Sequence, residues 1–538
     1  AVYQGSVYAI PMDTDDRLLY WNRKLFREVG LDPDRPPRTW EELVEYNARL
    51  TKRRPDGTFE RIGFIPVTKQ YMNSWFYLYS WQNGGEFMSP DGRTCTMRNP
   101  ESVGALQWLR DYYDGISGAE NVQAFASTFQ PREQDPFIVG KMAMKIDLNT
   151  AVRILGRFAK DLDYGVAPPP VPAARLRGEG RFRGEPPYIT WSGGFSWAIP
   201  VGSKHPEEAW LFIKWMNSLE SRRIFNRVQK EWNESQNPPR PYAPDMHANQ
   251  RINEILFREF APQGDSLVAR RMREGTQVGL DMMRSAKFRP VTFVGQRLWD
   301  EHIRAFERAT LKQTTPEQAL GDAQATVQAE LDAVYNRERH PLLNVPLAVG
   351  LSIGVVLLLI GAFVAYCRRQ GRVAPLLRSE ARAGYLFALP WILGFLGLFL
   401  GPMVAIVVFS LCDYDVLHPA RWAGAQNYVD LMRDPMLAKA FYNILFLAGI
   451  AIPLSLALSL LLAMLLNTQV KGVPLYRTAF YLPSLTPIVA VAIVWLFILN
   501  PDSGVINQVW RSTLTAWLGI PAPGWLASEA WSKPALIL

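Results

Sequence analysis

Val345–Tyr366 reads VPLAVGLSIGVVLLLIGAFVAY and holds no charged residue. As a helix rising 1.5 Å per residue, it is long enough to cross a hydrocarbon core of about 30 Å. Arg368, Arg369, Arg372, Arg378 and Arg382 follow at once. Positive charge collects on the cytoplasmic flank of membrane helices, so this end is expected inside and everything before Val345 outside. A buried core helix is the competing reading, but such helices rarely reach this length without a polar face. The stretch therefore divides the chain into a water-exposed first part and a membrane-embedded second part.

Bulk composition makes sense only when the two parts are read separately. A mean hydropathy of −0.05 averages a polar front and an apolar back. A chain of 538 residues is too long for one core and should hold at least two units. The net charge of +8 owes much to arginines near the membrane, which argues for contact with lipid and against nucleic-acid binding. Cys95, Cys367 and Cys412 fall in separate regions and form neither a disulfide framework nor a zinc pattern. The chain opens on Ala without a leader, and an apolar run begins at Pro534. Both features are expected of a piece cut from a longer protein.

The outer part alternates strands and helices. Ser6–Pro11 and Leu18–Trp21 read as strands on either side of the loop Asp13-Thr14-Asp15-Asp16. Asn22–Val29 is a helix closed by Gly30, and Thr39 with Glu42 forms a capping box before a helix to about Leu50. Arg61–Pro66 is a strand, Asn73–Gln82 is rich in aromatic residues, and Pro100–Tyr113 is helical. Phe137–Asp147 joins a helix end to a strand. Ile189–Pro200 (ITWSGGFSWAIP) places a glycine pair between two short strands, ahead of helices over His205–Asn217, Arg297–Leu311 and Pro316–Tyr335. This order predicts an α/β domain with helix-covered sheets.

Three of these segments are similar to extracellular solute-binding proteins of bacterial ABC importers, the carbohydrate type in particular. They are SVYAIPMDTDDRLLYWNRKLFREVGLDPDRPPRTWEEL, GGFSWAIPVGSKHPEEAWLFIKWM and RPVTFVGQRLWDEHIRAFERA with the helix that follows it. The resemblance covers residues 1–338 and implies a two-lobed periplasmic-binding-protein-like α/β domain. The family carries a further stretch before the first segment, so the first lobe is expected to be incomplete here.

Sugars offer hydroxyls at the rim and C–H patches on the ring face, so a sugar site needs aromatic platforms and convergent polar groups. Asp13 and Asp15 follow a strand, where a carboxylate can meet paired hydroxyls; capping or turn formation is the plainer role for both. Trp191, Gly193, Gly194 and Phe195 form a loop whose missing side chains let backbone N–H groups approach a ligand. A tight turn over core tryptophans is the plainer alternative. Trp75 and Trp232 complete the candidate set, although aromatics at helical spacing more often serve the core.

Beyond the hinge, residues 384–412, 440–466 and 478–499 are uncharged stretches of spanning length, and a fourth begins at 534. Residues 339–344 are a linker, 345–366 an anchor helix and 367–383 a cytoplasmic linker. Asn336–Asn344 reaches at most ~30 Å, which keeps the outer domain near the bilayer. Pro453, Pro483 and Pro487 are expected to kink their spans. Only Arg511 and Lys533 carry positive charge over Asn500–Lys533, as suits an outer loop.

GYLFALPWILGFLGLFLGPMVAIVVFSLCDYD, WAGAQNYVDLMRDPMLAKAFYNILFL and KGVPLYRTAFYLPSLTPIVAVAIVWLFILNPDSGVIN are similar to permease subunits of carbohydrate ABC importers, the maltose type. That resemblance runs over residues 378–538 and implies an all-α transmembrane permease bundle in a bacterial inner membrane. It also implies as partners ATP-binding cassette subunits, a second permease subunit and membrane lipid. In that family a later cytoplasmic loop docks on the ATPase, and this sequence stops before it. The chain has no G-x-x-x-x-G-K-[ST] loop or H-E-x-x-H motif. It is therefore expected to be non-catalytic and free of cofactors, with ATP and Mg held by separate ATPase subunits. A membrane-anchored solute sensor and a membrane glycoside-processing enzyme are the competing classes. Permease-like spans speak against the first, and the second would need paired carboxylates.

Overall fold

The computed structural model describes residues 2–537 except 4, 56, 68–75, 128, 130–133, 337–339, 370–376, 415, 417, 468–471 and 502–503. The chain forms two compact units, Ala1–Leu331 together with Val470–Leu538, and Asp332–Gln469.

Ile10–Pro11 (β1) leads through the aspartate loop into Arg17–Asn22 (β2), whose residues are all buried. Asn22 then caps Arg23–Glu28 (α1), its side chain accepting from the Leu25 N–H, so strand and helix join without a loop. Thr39 caps Trp40–Leu50 (α2) through the Glu42 N–H. The Glu42 carboxylate accepts from the Arg38 N–H at 2.7 Å and pairs with Arg35, one residue short of the expected capping box. Lys52–Arg53 (β3) and Phe59–Phe64 (β4) follow, then Phe76–Gln82 (α3), Pro100–Ile116 (α4) and Ala119–Ser127 (α5). Met142–Leu148 (β5), Ala151–Phe158 (α6) and Tyr164–Ala167 (β6) complete the main sheet.

The five strands lie in the order β3-β4-β5-β2-β6. β2 is antiparallel to both its neighbours, whereas β4 and β5 run parallel. The expected α/β class thus holds for this part. Buried Leu18, Leu19, Ile62, Phe64, Met144 and Leu155 form the core on the sheet. Leu267–Met282 (α10) lies across β2 and β6 with little clearance. A Cβ on Gly275 would meet Val152 Cγ1 at 2.6 Å, and one on Gly279 would meet Met246 Cε at 2.4 Å. Two glycines one turn apart let the helix backbone settle on the sheet. Within β5, Lys145 is buried between Asp135 and Asp147, its ammonium 2.9 Å and 2.7 Å from their carboxylates. The two acids hold its pKa up against burial.

In the second unit Val345–Arg369 (α13) is one continuous helix over the anchor stretch. The next expected span is interrupted. Leu377–Gly394 (α14) passes into a π-helical turn at Phe395–Leu400 before Gly401–Phe409 (α15). Pro402 supplies no N–H, and a widened turn just ahead of it absorbs the missing bond. Cys412–Asp413 (β10) pairs antiparallel with Arg421–Trp422 (β11), and Gln426–Arg433 (α16) follows. Pro435–Leu466 (α17) then runs unbroken through Pro453. Among the described residues one helix, Met436–Leu466, is long and apolar enough to cross a membrane, with a mean hydropathy of 2.5. Val345–Leu358 and Leu398–Phe409 are shorter apolar stretches.

The linker departs from a free tether. The Leu343 N–H donates to Ala420 O at 2.9 Å, the Trp422 N–H to Pro341 O at 2.8 Å, and Arg421 Nη1 to His340 O at 2.7 Å. His340–Leu343 therefore lies along β11 through a single antiparallel bridge between Leu342 and Arg421, because an edge strand leaves its N–H and C=O groups open to a passing chain.

In the C-terminal segment, Val473–Tyr481 (α18) ends in a 3₁₀ turn at Leu482–Leu485, and Ile488–Ile498 (α19) starts again after Pro487. The prolines at 483 and 487 break the helix where a bend was expected. Val505–Trp510 (α20) and Glu529–Ile537 (α21) enclose a folded loop. Its centre is the buried Asn507, whose Nδ2 donates to Pro501 O and Pro523 O at 2.9 Å each. Trp525 Nε1 donates back to Asn507 Oδ1 at 2.7 Å. Trp510, Trp525 and Trp531 meet edge to face around it.

Candidate functional site

Sequence placed the candidate site on two loops about 180 residues apart, with Trp75 and Trp232 outside them, and the fold joins the two loops. Thr190–Trp191 (β7) pairs with Ala286–Lys287 (β9), and Ser196–Trp197 (β8) pairs with β1. Gly193 and Gly194 are thereby carried directly over the aspartate loop. The Gly193 N–H donates to Asp15 Oδ1 at 2.7 Å, and the Phe195 N–H to Asp13 Oδ1 at 2.7 Å. Thr14 Oγ1 and Ser192 Oγ share a hydrogen bond of 2.8 Å. The Gly193 and Phe195 N–H groups are thus taken by carboxylates, and both aspartates act first as loop fasteners. Gly194 sits at φ +122°, and a Cβ there would lie 2.4 Å from Asp13 O. Only glycine allows this approach.

Arg17 anchors the assembly from below. Its guanidinium pairs with Asp15, lies 3.8 Å over the Trp191 ring and reaches Trp191 O at 3.4 Å. Burial lowers the Arg17 pKa, and Asp15 opposes that shift. Trp191 is only 4% exposed. Its ring lies 5.7 Å from Trp299 and 6.5 Å from Tyr77, while Tyr77 and Trp299 stack at 6.0 Å. This makes Trp191 part of an aromatic wall with little ring face open to a ligand.

Above the joined loops is a cleft of about 670 Å³. Asp13, Gly193, Gly194 and Phe195 line it, and Phe195 is 72% exposed. Trp232 does not line it; it sits at the end of Leu219–Glu234 (α8), half exposed beneath the Arg240 guanidinium. Trp75 lies outside the described residues. Sequence reasoning missed Tyr77, Arg289 and Gln296, which also line the cleft. Arg289 lies 4.8 Å over the Trp299 ring. Its signal was the segment beginning RPVTF, used for the resemblance and not for the site. Tyr77 was hidden in an aromatic run, and burial pushes its hydroxyl well above the ordinary value. The cleft offers aromatic faces, an amide, a guanidinium and a carboxylate, a mixture suited to a polar solute with apolar patches. Among the described residues no group of His, Cys, Asp or Glu side chains could hold a metal.

Residues 1–222 match the family model of the bacterial extracellular solute-binding protein. A solute-binding segment opens this chain. The chain is also 38% identical over 137 residues to the "probable ABC transporter permease protein YesP" of Bacillus subtilis, covering 25% of this chain and 43% of that protein. It is 30% identical over 157 residues to the lactose transport system permease protein LacF of Rhizobium radiobacter, covering 29% of this chain and 51% of that protein. The chain thus spans about half the length of these curated relatives. A solved structure, CpMnBP1 with mannobiose bound, is similar at 27% identity and a TM-score of 0.45, over 61% of this chain and 73% of that one. Likenesses to solute-binding proteins and to permeases therefore fall on one chain, and both kinds of relative are non-catalytic components of ABC transporters. The permease likeness assigns the chain to a membrane, and the solute-binding likeness assigns its first part to the extracytoplasmic side.

Proposed function

We propose that this chain is a solute receptor tethered to its own gate: it captures a sugar-like solute outside a bacterial inner membrane and passes it to a permease pathway. The observation that carries this reading is the presence of a solute-binding segment and a permease-like segment in one sequence. Lactose transport in the name of one permease relative favours a carbohydrate. The outer domain covers residues 1–338, the anchor helix 345–366 and the permease part 384–538, with the first part outside. Two lobes close around the solute, and the closed form presents it to the outer permease surface. ATP is hydrolysed in separate cassette subunits, and a second permease subunit completes the pathway.

In the cleft, Phe195 supplies the open aromatic face, and Asp13, Arg289 and Gln296 supply polar contacts. Asp15, Gly193 and Gly194 fix the loop, and Trp191 backs it. The test is a fluorescence titration of the full-length protein with a panel of mono- and oligosaccharides. The expected result is saturable binding to at least one sugar, weakened by about 0.5–1.5 kcal/mol in Phe195→Ala, the scale of one aromatic contact. Binding to no sugar in the panel contradicts the reading.

A further inference from the structure

The folded loop around Asn507 does not stand alone. Its 3₁₀ turn Trp525–Ala527 packs against α5. Between the loop and the edge of the main sheet is a second cleft, of about 480 Å³. Arg53, Glu120 and Asn121 line one side of it, and Arg511, Pro523 and Ser528 the other. Glu120 and Arg511 bring opposite charges to the two sides.

Each side is held by contacts of its own. Arg53, on the edge strand β3, lies 4.3 Å over the Phe59 ring and donates to Gly57 O at 3.0 Å and Ser117 Oγ at 2.6 Å. On the loop, Arg511 Nη2 is tied to Pro501 O at 2.7 Å, and Pro523 O is held by Asn507. Surfaces whose side chains are already fixed lose little conformational entropy on contact. An edge strand also needs cover, and a loop seated over it supplies some. No residue lines both this cleft and the solute cleft.

We propose that the β3–α5 edge is the docking face for the loop of residues 504–533 of the same chain, and that the contact is made with or without solute. This rests on the reading that places both segments outside the membrane, and it adds an attachment of the binding domain that does not depend on lobe closure. The domain then keeps its solute cleft free while it stays fixed to the permease part.

The experiment is thiol cross-linking in the full-length protein in membranes, with Cys367 replaced by Ser and the buried Cys95 and Cys412 retained. One variant carries Asn121→Cys with Ser528→Cys, and a second carries Thr58→Cys with Ala522→Cys, so that misfolding of one pair does not decide the result. A bifunctional reagent spanning roughly 10 Å, about two helical turns, should link each pair within one chain. The yield should be the same with and without sugar and on dilution of the protein in lipid. No link in either variant, links only between copies, or links that require sugar would overturn the proposal. Sugar titration of the same variants separates the two claims. Lost linking with retained sugar binding sinks the docking face alone, and retained linking with no sugar binding sinks the solute reading alone.

Discussion

Asp16 is fully buried beside the site, and neither carboxylate oxygen has a hydrogen-bond partner. Burial raises its pKa well above the ordinary value, with Arg17 only partly opposing this. The folded chain therefore keeps a proton that the unfolded chain releases once the pH passes the ordinary carboxylate value. From there up to the raised value, each increase in pH favours unfolding. Asp16→Asn should match the parent in thermal unfolding below about pH 4. Above that it should become progressively more stable than the parent as the pH rises towards the raised value. Unfolding curves at stepped pH check this, and a variant less stable at pH 7 contradicts it. Gly194→Ala should act on both stability and binding, because its Cβ would strike Asp13 O in a backbone conformation that alanine avoids. The expected cost is about 1–3 kcal/mol in unfolding, with weakened solute binding. Calorimetry and a sugar titration of this variant measure the two effects.

At this scale the sequence was informative about position and less so about role. A glycine pair between two strands and carboxylates after a strand pointed to loops that do come together. One chain alone could not show that the two loops would satisfy each other. Carboxylates and N–H groups each need partners, and which partners they find depends on a strand pairing over 180 residues away. Trp191 read as a ligand platform from its neighbours, and the fold spends its ring on Arg17, Tyr77 and Trp299.

Among the elements, local signals carried furthest where caps and periodicity act within a few residues. Thr39 caps the helix that the sequence assigned to it, and Asn22, read as the first residue of its helix, is the cap one position ahead of it. The breaks at Pro487 and ahead of Pro402 follow from missing N–H groups. The linker was not legible, because its order comes from pairing with β11 some 80 residues later. Amide hydrogen exchange should find Leu343 and Trp422 protected in the intact protein. Trp422→Pro removes one of the two ladder donors, and the Leu343 amide should then exchange at least about tenfold faster, the equivalent of one lost net hydrogen bond of about 1.4 kcal/mol. Fast exchange at Leu343 in the parent protein would mean that the linker is a free tether after all.

For the whole molecule, the account turns on one chain performing two tasks that separate proteins can share. A soluble receptor must find its permease by diffusion, whereas a tethered one acts at an effective concentration near millimolar. The most direct measurement is ATP-driven uptake of the bound sugar into sealed vesicles. The full-length protein is reconstituted with its cassette and permease partners, and no soluble binding protein is supplied outside. The account predicts uptake that saturates with external sugar and does not rise when free binding domain is added. Uptake that appears only after a separate binding protein is supplied would contradict it.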